Sequence, residues 1–174
     1  MGLFDFMKGK KSEAAPAPAP EAVTFPAVLG ATAKGTFLPM EEVPDPVFSQ
    51  GILGFCCGID PEDGNIYAPI GGKITQLADT LHAVGIEAGG IEVLIHVGVD
   101  TVAMNGDGFS SKVKIGQIVT KGQLLLTMDV GKVKAAGHPT TVITVVTNSD
   151  DFSSVRTVAE GAVQPGDNLF QIDK

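Results

Sequence analysis

From Ala22 onward the apolar residues come in short runs broken by Gly, Pro, Asn and Asp, and no helical period is sustained over three turns. That pattern predicts an all-β fold, an antiparallel β-sandwich with a few short helical turns. The clearest strand runs from Ile91 to Asp100, where Ile91, Val93, Ile95, Val97 and Val99 alternate and should be buried. Leu94, His96, Gly98 and Asp100 then share the opposite face. The preceding run, Thr80 to Glu87, reads as the partner strand, with Thr80 and His82 on one face. Ala88-Gly89-Gly90 would join the two as a three-residue hairpin loop. That register sets His82 directly opposite His96, with Cβ atoms roughly 4.5–5.5 Å apart. A two-residue loop would shift the pairing by one and turn the two histidines to opposite faces.

Two segments look like copies of one unit, Gly116 to Leu125 and Gly161 to Phe170; each has a valine, a glycine three later and a leucine three after that. Such strand-turn-strand units recur in sandwiches with internal duplication. Short helical turns are expected after Val102 and near Ser149 to Ser153, where Ser149 or Asp150 can cap the following N–H groups. The chain divides into a stub (1–11), a linker (12–21) and one folded domain (22–174). The stub places Leu3, Phe4 and Met7 on one helical face and ends in Lys8, Lys10 and Lys11, which suits weak peripheral membrane contact. It is too short to span a bilayer, and Phe6 stands where a myristoylation signal needs Ser or Thr. The Ala-Pro linker cannot pack and should stay extended.

The length of 174 residues is one domain's worth, and 44% apolar content is enough for a core without metals or disulfides. The net charge of −8 argues against nucleic acid or an anionic membrane as the main ligand of the globular part. An acidic surface suits a basic-faced protein partner. Cys56 and Cys57 are adjacent and so point to opposite faces of a strand. With no secretory signal, both are expected to be reduced and half-buried in a cytoplasmic protein.

The chemistry rests on the histidine pair. A lone strand histidine is ordinarily just a satisfied residue on a partly buried surface, but two facing each other in a chain with only three change that balance. One imidazole can be a nucleophile toward phosphorus while the other donates an N–H to the phosphoryl oxygens. Thr80 is placed to fix the His82 tautomer through its hydroxyl. His138, in Gly137-His138-Pro139, has no such partner and reads as a loop residue.

The motifs Tyr67-Ala68-Pro69-Ile70-Gly71-Gly72-Lys73-Ile74, Thr80-Leu81-His82-Ala83-Val84-Gly85-Ile86, Leu94-Ile95-His96-Val97-Gly98-Val99-Asp100-Thr101-Val102 and Gly106-Asp107-Gly108-Phe109 resemble, in order and spacing, the glucose-type enzyme IIA of the bacterial sugar phosphotransferase system. The resemblance covers roughly Thr24 to the C-terminus. It implies that His96 is the phosphorylated histidine, His82 the second active-site histidine and Thr80 its hydrogen-bonding support. It also implies an exposed apolar rim for docking at Val47, Phe48, Ile52, Leu53 and Leu94, with Asp100 beside the site. Such a phosphotransferase component accepts phosphate from the carrier HPr and passes it to a IIB domain of a sugar permease during sugar uptake. The sugar, the permease and any regulatory protein targets are not encoded in these motifs. One segment departs from the family pattern: Gly54-Phe55-Cys56-Cys57-Gly58-Ile59 lacks the acidic residue and second glycine of the usual turn.

Two rival functions come from other classes. A biotinyl or lipoyl carrier module would share the repeated Val-x-x-Gly-x-x-Leu unit, but it needs a lysine at a hairpin tip, and Gly72-Lys73-Ile74 is a poor candidate. A zinc hydrolase of related β architecture would need three protein ligands and an open position. His82 and His96 supply two, and no His-x-His pair exists. The phosphocarrier reading requires no cofactor, while a zinc held between His82 and His96 and completed by a partner's carboxylate is compatible with it.

Overall fold

The computed structural model describes residues 22–174. The stub and the linker expected at 1–11 and 12–21 lie outside the described residues. The chain runs through β1 (Ala27–Gly30), β2 (Gly35–Leu38), α1 (Pro46–Ser49), β3 (Phe55–Pro61), β4 (Asn65–Tyr67), β5 (Gly72–Leu77) and β6 (Ala83–Ala88). It continues through β7 (Ile91–Val97), β8 (Phe109–Ser111), β9 (Ile118–Val119), β10 (Leu124–Met128), α2 (Val130–Ala135) and β11 (Val142–Val146). β12 (Ser154–Thr157), β13 (Ala162–Val163) and β14 (Asn168–Asp173) complete it.

The strands form one eight-stranded sheet, ordered β13-β2-β3-β11-β7-β6-β5-β9, and two three-stranded sheets, β1-β14-β12 and β4-β10-β8. Every pairing is antiparallel. The small sheets cover one face of the large one, and Leu29, Leu125, Leu126, Leu169 and Phe170 pack there against Cys57, Ile59, Ile74, Ile86 and Ile95. This is the expected all-β sandwich. The other face carries a smaller apolar cluster of Val43, Phe48, Cys56, Val99, Ile143 and Val145. β11 is therefore buried throughout, because alternate residues serve both clusters.

The internal duplication is visible in hydrogen bonds as well as in sequence. The Gln123 side-chain oxygen accepts from Thr120 N–H at 3.1 Å, and the Asp167 carboxylate accepts from Gln164 N–H at 2.8 Å. Gly122 N–H donates to Ala68 O at 2.8 Å, as Gly166 N–H donates to Ala31 O at 3.1 Å. Both glycines are left-handed, with φ of 86° and 90°, and so is the turn each unit requires.

Helical turns occur at the two expected places, Thr101–Met104 and Ser149–Asp151, and also at Met40–Glu42. Asn148, not Ser149 or Asp150, stands at the N-cap of the second, and its side chain makes no capping bond. The expected cap fails because Ser149 Oγ is taken by Phe55 N–H at 3.1 Å, where β3 begins. α1 and α2 were not expected. Each starts at an aspartate whose carboxylate accepts a backbone N–H, Asp45 from Val47 and Asp129 from Lys132.

Cys56 and Cys57 do point to opposite faces, but neither is half-buried. Both are fully buried, since β3 lies between β2 and β11 and is covered on both sides. Both are free thiols. Burial pushes the Cys56 thiol up to about 12 and raises Cys57 as well. Cys56 Sγ donates to Phe48 O at 3.2 Å and so ties β3 to α1 beneath the site. The segment that departs from the family pattern is thus a regular strand.

Candidate functional site

The site lies on the outer face of the large sheet, where β6 meets β7. The observed register differs from the expected one by a residue: Ala83 pairs with His96 and Ala88 with Ile91. The loop is therefore the two residues Gly89-Gly90, both left-handed at φ 56° and 88°, which matches the right-handed twist of the flanking strands. In an undistorted ladder this register would put His82 and His96 on opposite faces. Yet the rings meet edge to face, with centroids 5.0 Å apart.

Leu81 resolves the conflict. β6 begins only at Ala83, so Thr80 and His82 belong to the turn that leaves β5, where Leu81 N–H donates to Ala78 O at 2.8 Å. Leu81 is left-handed at φ 59°, a conformation costing roughly 1–2 kcal/mol in a residue with a Cβ. That bend breaks the alternation and carries the His82 ring round to the face of His96. A second break follows His96. Gly98 is left-handed at φ 80° and ends the strand, so Val99, expected on the inner face, packs into the outer cluster. Asp100, itself left-handed at φ 62°, starts the Thr101–Met104 turn, where it is exposed.

Each ring is held through Nδ1. His96 Nδ1 lies 2.8 Å from Gly98 O. A carbonyl only accepts, so Nδ1 carries the proton and Nε2 of the neutral ring keeps its lone pair. Thr80 Oγ1 lies 2.6 Å from His82 Nδ1 and can donate to it or accept from it. Phe48 closes the far side of His96 with ring centroids 5.0 Å apart. Burial lowers the pKa of both histidines; the other ring adds to this for His82, while the Gly98 carbonyl, Asp45 and Asp100 partly oppose it for His96. Both rings are thus neutral near pH 7. A group whose folded pKa is depressed and that charges on protonation binds fewer protons folded than unfolded, so stability falls as pH drops through the window below 6.5. Urea midpoints compared at pH 7.5 and 5.5 should show this acid-side loss in the wild type and a smaller one in H82Q/H96Q.

The structure brings His82, His96, Thr80, Leu94 and Asp100 to one region, while His138 sits at the end of the α2 turn, as expected of a loop residue. Val47, Ile52 and Leu53 are exposed on α1 and the turn after it. Phe48, expected on the exposed rim, is instead 5% exposed and forms a wall behind His96. Its place on a helix of four residues turns it inward while its neighbour Val47 faces out. Three site features escaped the sequence reading. Asp45 was signalled by an Asp-Pro step that caps α1. The Gly98 carbonyl had no side-chain signal. Glu87 and Glu92 face each other across β6 and β7 beside the Gly85–Leu94 pair, visible only once the register is known.

Among the described residues no group of three or more His, Cys, Asp or Glu could hold a metal ion. A four-coordinate zinc held by this chain alone does not fit, because the site offers two imidazoles. Lys73, the lysine weighed for a carrier module, lies within β5 and not at a hairpin tip.

Comparison with known proteins assigns the chain to a family. The family described as phosphoenolpyruvate-dependent sugar phosphotransferase system, EIIA 1, matches residues 27–152. The chain belongs to that family. It is a phosphotransferase component with a phosphocarrier role in sugar phosphotransfer. It is 42% identical over 152 residues to the glucose-specific EIIA component of Halalkalibacterium halodurans, covering 87% of this chain and 84% of that one. It is 42% identical over 139 residues to the beta-glucoside-specific EIIBCA component of Dickeya chrysanthemi, covering 79% of this chain but spanning only 22% of that longer protein. Among solved structures, glucose permease IIA from Mycoplasma capricolum superposes with a TM-score of 0.74 at 32% identity, covering 83% of this chain and 94% of that one. Neither rival function gains support from these relatives.

Proposed function

We propose that His96 Nε2 takes a phosphoryl group from HPr and passes it to a IIB domain of a sugar permease. The observation that carries this reading is that two facing imidazoles each commit Nδ1 to a neighbour, and the Gly98 carbonyl leaves His96 Nε2 unprotonated. In the loading step the Nε2 lone pair attacks phosphorus as the donor's P–N bond breaks, and that bond's electron pair returns to the donor imidazole. No proton is lost, and the positive character gained by the His96 ring is met by Gly98 O through Nδ1–H. With the Thr80 hydroxyl donating to His82 Nδ1, His82 Nε2–H faces the transferred group and stabilises its equatorial oxygens. Unloading reverses these roles toward the IIB acceptor.

Docking uses the outer face around the rings. Val47, Ile52 and Leu53 supply exposed apolar contact, and Leu94, half-buried on β7, packs against the cluster that contains Phe48. Covering them excludes water, which favours transfer to a protein over hydrolysis. Glu87 and Glu92 stand opposite each other, a like-charge pairing that costs stability in isolation and that a basic partner surface would relieve. The IIB partner is supported by relatives in which an EIIA component is named together with B and C components in one chain. The domain occupies 22–174, works on the cytoplasmic side and needs no cofactor. A zinc on His82 and His96 would require a partner to complete it, and no step above uses one.

The test is incubation with HPr, the system's first enzyme and labelled phosphoenolpyruvate. An acid-labile, base-stable label that is discharged by a IIB domain is expected; no labelling would overturn the reading. The stub adds a separate expectation, because its Leu3, Phe4 and Met7 lie beside Lys8, Lys10 and Lys11 in sequence. No helix long and apolar enough to cross a membrane occurs among the described residues. Deleting 1–11 should leave labelling by HPr intact but weaken sedimentation with anionic vesicles. Equal vesicle binding with and without the stub would remove membrane contact from its role.

A further inference from the structure

The orientation of the Gly98 carbonyl decides which nitrogen of His96 is free, so whatever holds Gly98 acts on the reactive atom from a distance. Gly98 joins two peptide units, and both are pinned. The first contains Val97 C=O and Gly98 N–H. Its N–H donates to Thr141 O at 2.8 Å, and its carbonyl accepts from Thr101 Oγ1 at 2.6 Å. The second contains Gly98 C=O and Val99 N–H. Its N–H donates to Pro139 O at 3.0 Å, which aims the carbonyl the other way, at His96 Nδ1, 2.8 Å distant. Two of these three pins are backbone, and the third is the Thr101 side chain.

Thr101 also fills the space over Gly98. A Cβ built on Gly98 would lie 2.4 Å from Thr101 Cγ2, so the methyl occupies the volume that any other residue at 98 would need. Thr101 is fully buried on the far side of the strand end from solvent, and neither the hydroxyl nor the methyl is spent on an exposed surface. With φ of 80°, Gly98 relies on such neighbours to keep one conformation, since glycine populates positive and negative φ about equally.

We propose that Thr101 is a positioning residue for phosphoryl transfer: by holding the Val97–Gly98 peptide it keeps the Gly98 carbonyl on His96 Nδ1 and so keeps Nε2 unprotonated. This rests on the reading of His96 as the phosphoryl acceptor. Thr101 touches neither the imidazole nor the transferred group, and it acts only through Gly98. A purely structural threonine, one that merely caps the Thr101–Met104 turn, would change stability without changing the tautomer.

The experiment compares Thr101→Ser, Thr101→Ala and Thr101→Val in the full chain, with the His96 tautomer read from ¹⁵N imidazole shifts in the unphosphorylated protein. Ser and Ala both lose the methyl and differ in the hydroxyl alone, so the comparison survives if the bulkier Val variant fails to fold. Ser should keep the Nδ1–H tautomer of the wild type. Ala, and Val where it folds, should show a mixed population with Nε2–H, together with loading from HPr slowed about fivefold to tenfold, the scale of one ordinary hydrogen bond. Identical tautomer populations in Ser and Ala would overturn the proposal, as would a wild-type tautomer in both Ala and Val accompanied only by a lower melting temperature. The tautomer is measured without phosphate, so a wild type that HPr cannot label refutes the acceptor reading while the spectra still decide the role of Thr101.

Discussion

His96→Ala should reduce labelling from HPr to background, the largest effect expected of any single substitution here. The reason is stoichiometric: in the proposed mechanism the phosphoryl group is carried on a nitrogen that alanine lacks, and no neighbouring nucleophile is prepared to replace it. His82 is the nearest other imidazole, with ring centroids 5.0 Å away, but its Nδ1 is engaged by the Thr80 hydroxyl, and its Nε2 is the donor in the mechanism above. The same change removes a ring that packs against Phe48, so the outer cluster loses contact as well. His96→Gln separates the two consequences, keeping bulk against Phe48 while supplying no imidazole. It should be as inactive as alanine with a smaller loss of stability. Acid-labile phosphate recovered on either variant would show that the acceptor lies elsewhere.

His82→Gln should load and then unload slowly. The nucleophile is intact, and a glutamine amide can still place one N–H near the phosphoryl oxygens, so loading from HPr should stay near wild type. Unloading to the IIB domain is more demanding, because the imidazole polarised by Thr80 gives way to a weaker, less firmly held donor. Removing one preorganised donor to developing charge typically costs on the order of 2.7–4 kcal/mol, about 10²–10³ in rate. Rapid-quench measurements in both directions decide the matter. Equal losses in loading and unloading, or none in either, would remove the asymmetric role given to His82.

The outcome at the histidine pair shows how far periodicity reaches. Alternation from Ile91 to Val97 identified a half-buried strand and the His96 face, because burial of one face of a pleated strand leaves a period of two in the residues themselves. The pairing of His82 with His96 was also legible, but the geometry inferred for it was not the one observed. The loop is one residue shorter than expected, and a left-handed Leu81 compensates. A leucine carries no sequence mark of that conformation, unlike the glycines at 89, 90 and 98. The copies at Gly116 and Gly161 were legible for the opposite reason, since each needs a glycine at the same turn position.

The short helices mark a second boundary. α1 has four residues, too few to show a helical period, yet it decides that Phe48 faces His96 while Val47 faces solvent. The cysteines mark a third. Their opposite directions follow from strand geometry, whereas their complete burial depends on β3 lying inside an eight-stranded sheet with an apolar cluster on each face.

The sequence by itself thus determined the fold class, the internal duplication, the candidate histidine pair and the family, because strand period, turn glycines and motif spacing are local and each leaves its trace in neighbouring letters. Only the tertiary structure decided the register beside the site, the face presented by His82 and the nitrogen of His96 that is left free. Those depend on one strained turn and on two peptide units held by Thr101, Pro139 and Thr141, and a carbonyl that every residue possesses becomes distinctive only when the fold aims it.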